Sequence, residues 1–132
     1  MIGHLHPVIL HFPIALFIFC VVYELYRKYV DNQTTTNISG ATEVALGIGM
    51  LTSIVTVGSG WIGSQDYGVT TEMTIHQWLG TASAVWSIVC TAMVMWKFKG
   101  RWKIQMVFLA SLALLISAAA HFGGIIVHGN LF

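Results

Sequence analysis

Four long apolar runs alternate with short polar breaks along this chain. The runs are Leu5 to Tyr26, Thr42 to Ile62, Ile75 to Trp96 and Ile104 to Val127, and the breaks lie around Asp31 to Ser39, Ser64 to Thr74 and Lys97 to Lys103. Each run matches the roughly 20 residues an α-helix needs to cross about 30 Å of hydrocarbon. The pattern predicts an all-α fold, a four-helix transmembrane bundle running up-down-up-down with both termini on one side. Connections this short predict a single domain over residues 1–132, with any functional site built on the helices themselves.

Composition points the same way: 56% of residues are hydrophobic and 8% charged, with a mean hydropathy of +0.77. A soluble domain carries about 25% charged residues. The charges are also sorted. Arg27, Lys28, Lys97, Lys99, Arg101 and Lys103 all flank the two turns at one end, while the other end has Asp66 and Glu72 and no Lys or Arg. Cytoplasmic loops retain Lys and Arg during insertion, so both termini are expected outside the cytoplasm. Glu24, Asp31 and Glu43 offset part of the basic end. That balance is an ordinary cytoplasmic bias and excludes a nucleic-acid patch. Met1 to His11 lacks a basic n-region and no small-residue cleavage site follows, so span one is expected to stay in the membrane.

All six histidines, His4, His6, His11, His76, His121 and His128, fall at the extracytoplasmic end of the spans. Residues three and four apart share a helix face. Span four carries Ala110, Leu114, Ser117, His121, Gly124 and His128 on one stripe; span three carries His76, Gly80, Ser83, Ser87 and Cys90. Span two offers Gly49, Ser53, Thr56, Gly60 and Gly63, and span one His4, His11, Ala15, Ile18 and Val22, with His6 turned away. Small residues let membrane helices pack closely, which alone accounts for span two. Histidine in hydrocarbon is costly and points to function. At a rise of about 1.5 Å per residue, His11 and His121 lie level, about 7 and 10 Å deep, with His76 and His128 in a shallower layer.

Two layers of imidazole in a bundle suit a metal or metallocofactor. Facing helices commonly hold a noncovalent haem, and Gly60, Gly63, Gly80 and Gly124 leave room for a flat macrocycle. His11 and His121 are the expected deep ligands of haem b, with His76 and His128 either holding a second haem or bonding around the first. Copper competes, since imidazoles with Met73 three residues before His76 suit it, and three or four imidazoles suit zinc. A cofactor-free structural subunit is the remaining alternative. The histidine end has no Lys or Arg to pair haem propionates, leaving Trp61, Gln65, Gln77 and Asn130 as donors.

Other features carry less. Pro13 removes a helical hydrogen bond and is expected to bend span one beside His11. Cys20 and Cys90 occur without C-x-x-C or C-x-x-C-H, which excludes covalent haem, and are read as buried apolar residues. No nucleophile with a base, phosphate loop or carboxylate pair supports a hydrolase, so an electron carrier without substrate chemistry is favoured over an enzyme. Quinol oxidation at Asp66 or Glu72 is the one catalytic option.

The segments H-P-V-I-L-H-F-P-I-A-L (His6 to Leu16), I-H-Q-W-L-G (Ile75 to Gly80) and H-F-G-G-I-I-V-H-G (His121 to Gly129) resemble a bacterial integral-membrane family of unknown function. Its members begin with an H-P-x-x-x-H-F-P-I signature. Similar segments occur in planctomycete and Bacteroidetes proteins that also carry c-type cytochrome domains. The resemblance spans nearly the whole chain and implies a four-helix membrane unit tied to redox chemistry. Ile126 and Val127 stand where L-T is expected, and a cytochrome partner is expected as a separate polypeptide. The combined expectation is a bis-histidine haem b protein passing single electrons within a respiratory or cytochrome-linked complex.

Overall fold

The structure, a computed structural model, describes residues 6–32, 36–66, 68–98 and 100–128. It is a four-helix bundle of α1 (His6–Tyr29), α2 (Gly40–Gly63), α3 (Thr71–Ala92) and α4 (Trp102–His128). A 3₁₀ turn, Ser64–Asp66, follows α2, and a π-helical turn, Met93–Lys97, extends α3. All four helices are long and apolar enough to cross a membrane. Each packs against its neighbour in sequence, and α1 closes the ring against α4.

The helix starts follow from local chemistry. Ser39 caps α2, its Oγ accepting from the N–H of Thr42 at 3.0 Å, and Thr70 caps α3, accepting from Met73 N–H at 3.2 Å. Each cap satisfies a backbone donor that the first turn leaves without a partner. Glu43 and Glu72 in the first turns and Arg27 and Lys28 in the last turn of α1 complement the helix dipoles. Gly100 turns the chain into α4 at φ +80°, a conformation that costs glycine nothing, and its N–H is held by the Asn37 side chain. Pro13 sits inside α1, which continues through it, and its ring is buried.

Small residues set the close approaches. The ring of Phe17, 1% exposed, lies over Gly49, where a Cβ would stand 2.5 Å from its Cε1. Around it Cys20, Leu46, Cys90, Val94, Leu109, Leu112 and Ile116 form the core. Both cysteines are buried and free, their thiols donating to the carbonyls of Thr42 and Phe108.

The end of the bundle that carries the basic residues is sealed by polar bonds as well as by the buried Ile38, Val94, Trp102 and Met106. Glu24, counted in sequence as one charge among several at that end, is fully buried. Its carboxylate accepts from Arg27, from the N–H of Ser39, from the hydroxyl of Thr42 and from the indole of Trp102. Gln105, also buried, accepts from Ile38 N–H and donates to the carbonyl of Val94 in the π-helical turn. A buried charge persists only when paired and hydrogen-bonded, and here the donors come from α1, from the start of α2 and from the start of α4.

Candidate functional site

At the opposite end the helices part around a cavity of about 580 Å³. That volume is within the usual range for a small-molecule or cofactor site. Its walls include His6, His11 and Pro13 from α1, Ser53, Thr56 and Gly60 from α2, Met73, His76 and Gly80 from α3, and Ala119, Gly123 and Gly124 from α4. Gly60, Gly63, Gly80 and Gly124, expected to make room for a flat group, all line it. At Gly80 and Gly124 a Cβ would meet nothing within 4 Å, so these two border open space.

Two imidazoles meet across this cavity. The rings of His6 and His76 have centroids 6.1 Å apart and stand at 88° to each other. Each is fixed by the neighbouring helix. His6 Nδ1 lies 3.1 Å from the carbonyl of Thr56 and 3.2 Å from the Oγ of Ser59; His76 Nδ1 lies 2.8 Å from the carbonyl of Ala119. A carbonyl can only accept, so Nδ1 carries the proton in both rings and Nε2 carries the lone pair. Among the described residues neither Nε2 has a hydrogen-bond partner. Nδ1–H bound to a backbone carbonyl is the arrangement that orients metal-ligating histidine.

Glycine permits this seating. A Cβ on Gly60 would lie 2.8 Å from His6 Cε1, and one on Gly123 would lie 2.9 Å from His76 Cε1. Both rings therefore rest directly on helix backbone. The neutral imidazole is the form that can bind a metal.

The expected pairing of His11 with His121 gives way to this one. His121 is exposed, its ring packs edge-on against Phe122 at 5.8 Å, and it is not among the cavity's lining residues. His11 is exposed and borders the cavity. His76, expected in a shallower layer, is in the site, and His6, expected to turn away, is its partner. His4 and the side chain of His128 lie outside the described residues, as does Asn130. Gly123 was missed because its neighbour Gly124 falls on the stripe defined by His121.

The cause is the choice of helix face. Stripes expected inside for spans two and three are inside: Gly49, Ser53, Thr56, Ser83, Ser87 and Cys90 are all buried. For span one, His11, Ala15, Ile18 and Val22 are instead exposed, and for span four so are Leu114, Ser117, His121 and Gly124. The buried stripe of α1 runs Pro13, Phe17, Cys20 and Glu24; extended back by three and four, it reaches His6. Lipid is as apolar as the bundle core, so apolar side chains do not tell one face from the other.

Among the described residues, no three His, Cys, Asp or Glu side chains come together as a metal-ion site. Two imidazoles and a thioether, Met73, are the soft or borderline donors that line the cavity together with His11. At its mouth Trp61 donates to the hydroxyl of Thr81 and meets the ring of Trp78 at 6.2 Å. Compared with known proteins, the chain matches no family, no curated protein and no solved structure.

Proposed function

We propose that this chain is a membrane electron-transfer protein that binds haem b between His6 and His76. In this reading the cavity and both termini face the periplasm of a bacterial inner membrane. A c-type cytochrome or another redox subunit of a respiratory complex exchanges electrons with it, in keeping with the family resemblance of the three histidine motifs.

One observation carries the reading: two imidazoles anchored through Nδ1, with unpartnered Nε2 atoms, meeting across a cavity rimmed by glycine. His6 and His76, whose ring centres lie 6.1 Å apart, are the residues that would hold the iron. Haem bound there would supply one-electron chemistry. The chain's own contribution would be to hold two neutral imidazoles in fixed tautomers. Of the donors expected for propionates, Trp61 and Gln77 line the cavity, the Trp61 indole already donating to Thr81.

Copper handling is the second reading, favoured by the thioether of Met73 on the same wall as the histidines. The optical spectrum of the detergent-purified protein tests the choice. Split α and β bands on reduction, with haem b extractable by acid acetone, are expected. A folded, colourless preparation from haem-sufficient cells, with stoichiometric copper, would favour the second reading.

A further inference from the structure

The two halves of the bundle repeat each other. A shift of 70 residues carries His6 onto His76 and Cys20 onto Cys90. It also carries Pro13, Phe17 and Glu24 onto Ser83, Ser87 and Val94, and all eight of the residues from Pro13, Phe17, Cys20 and Glu24 to their counterparts are buried. A shift of 63 does the same for the other helix pair. Thr42, Leu46, Gly49, Ser53 and Thr56 fall on Gln105, Leu109, Leu112, Ile116 and Ala119, again buried throughout, and Gly60 falls on Gly123.

The correspondence extends to atoms at the cavity. On α1 and α2, His6 Nδ1 bonds the carbonyl of Thr56 and its Cε1 rests on Gly60, four residues on. On α3 and α4, His76 Nδ1 bonds the carbonyl of Ala119 and its Cε1 rests on Gly123, also four residues on. The Cβ positions at the two glycines would stand 2.8 and 2.9 Å from the ring. Packing alone does not demand this likeness. In the core the same shifts pair Phe17 and Gly49 with Ser87 and Leu112, the large and small residues exchanged between helices. At the opposite end Glu24 is matched by Val94, so its polar network exists in one half only.

We infer that the cavity is one site with two equivalent halves, taking one metal centre that His6 and His76 would hold from the two halves alike. Gly60 and Gly123 are its paired positioning residues, each letting one ring reach the backbone. A quinone head group offers only carbonyl acceptors, which two Nε2 atoms that are themselves acceptors cannot bond. The inference rests on the haem reading for the identity of the macrocycle, and on the repeated geometry for the equivalence of the halves.

The test compares counterparts in the full-length chain in detergent. Haemin is titrated into wild type, His6→Ala, His76→Ala, Gly60→Val and Gly123→Val. Each histidine variant is expected to give a five-coordinate spectrum, restored to six-coordinate by added imidazole, which also shows that the variant is folded. Both glycine variants are expected to weaken haemin binding by a similar factor, about tenfold or more, as loss of a ligand's orienting contact does. If one glycine variant loses the ligand while its counterpart keeps wild-type affinity, the halves are not equivalent and the inference falls with the haem reading intact; if either histidine variant keeps the wild-type spectrum, the inference and the haem reading fall together. If wild type binds no haemin, the haem reading falls instead. Silver(I), which prefers two collinear nitrogen donors, then decides the inference: ¹⁵N-histidine resonances of His6 and His76 shifting together at one equivalent uphold it, and any other response of the pair overturns it.

Discussion

The carboxylate of Glu24 accepts a 3.2 Å hydrogen bond from the indole N–H of Trp102, tying α1 to the first residue of α4 across 78 positions of sequence. The same carboxylate accepts from Ser39 N–H at 2.8 Å and from Arg27 at 2.9 Å. Lys28 stands 5.6 Å from the Trp102 ring centroid, over its face. One side chain therefore holds the start of α2 and the start of α4 against α1.

Glu24→Ala is expected to be the most damaging substitution at this end. It strands a cation, a backbone N–H, a hydroxyl and an indole N–H in a buried setting, and breaking such a pair costs about 3–5 kcal/mol. Glu24→Gln keeps the volume and part of the bonding and should cost less. Glu43→Gln, in the first turn of α2, should cost under about 1 kcal/mol, the scale of a helix-dipole contact. Unfolding in mixed detergent micelles, followed by circular dichroism, gives the order; equal losses for Glu24→Ala and Glu43→Gln would refute the role assigned to Glu24.

Gly49 and Phe17 make a second, independent test. Gly49→Ala places a methyl 2.5 Å from a ring that is 1% exposed and has nowhere to go. Overpacking of this kind costs about 1–3 kcal/mol. Phe17→Leu in the same chain should recover a large part of that loss, a coupling that a double-mutant cycle measures directly. Additive losses would mean that the two residues do not share the space.

The histidines divide into two classes. On the haem reading, His6→Ala and His76→Ala are each expected to remove a ligand and change the spectrum of the reduced protein. His121→Ala, on the exposed face of α4, should leave cofactor content and spectrum as in wild type. Retention of the wild-type spectrum by both His6→Ala and His76→Ala, with loss in His121→Ala, would return the site to the deep pairing of His11 with His121 expected from helix depth.

Topology is tested by fusions. The distribution of Lys and Arg predicts both termini outside the cytoplasm. Alkaline phosphatase joined after Phe132 should be active and a cytoplasmic reporter there inactive; the reverse pattern would put the cavity on the cytoplasmic side.

Much of the fold was legible in the sequence because a membrane helix announces itself by length and apolarity alone. The spans read from the sequence and α1 to α4 coincide within a few residues, and the turns fall where Ser39, Thr70 and Gly100 place caps and a left-handed turn. Inward faces were legible in α2 and α3, where two hydroxyl residues share each stripe, but not in α4, where Ser117 is exposed. Ser53 and Thr56 on α2, and Ser83 and Ser87 on α3, turn inward, and Ser53 and Ser87 meet at 3.2 Å. In α1 the histidines themselves were taken as the guide, and they point two ways: His6 and His11 are five residues apart and lie on different faces. Glu24 was equally ambiguous, since a carboxylate near a helix end reads as a solvated charge until the groups that bond it are known.

The sequence by itself determined the number of helices, their alternating direction, the sorting of charge to one end and of histidine to the other. These follow from the cost of placing unbonded backbone and charge in hydrocarbon, a cost fixed residue by residue and so written locally. Tertiary structure alone decided which histidines meet. That His6 faces His76, that Thr56 and Ala119 supply the carbonyls, and that Gly60 and Gly123 rather than Gly124 receive the rings all depend on how far each helix is rotated about its axis. Rotation is set by close packing and hydrogen bonds between helices, because lipid and core are equally apolar and hydrophobicity has no preference between them.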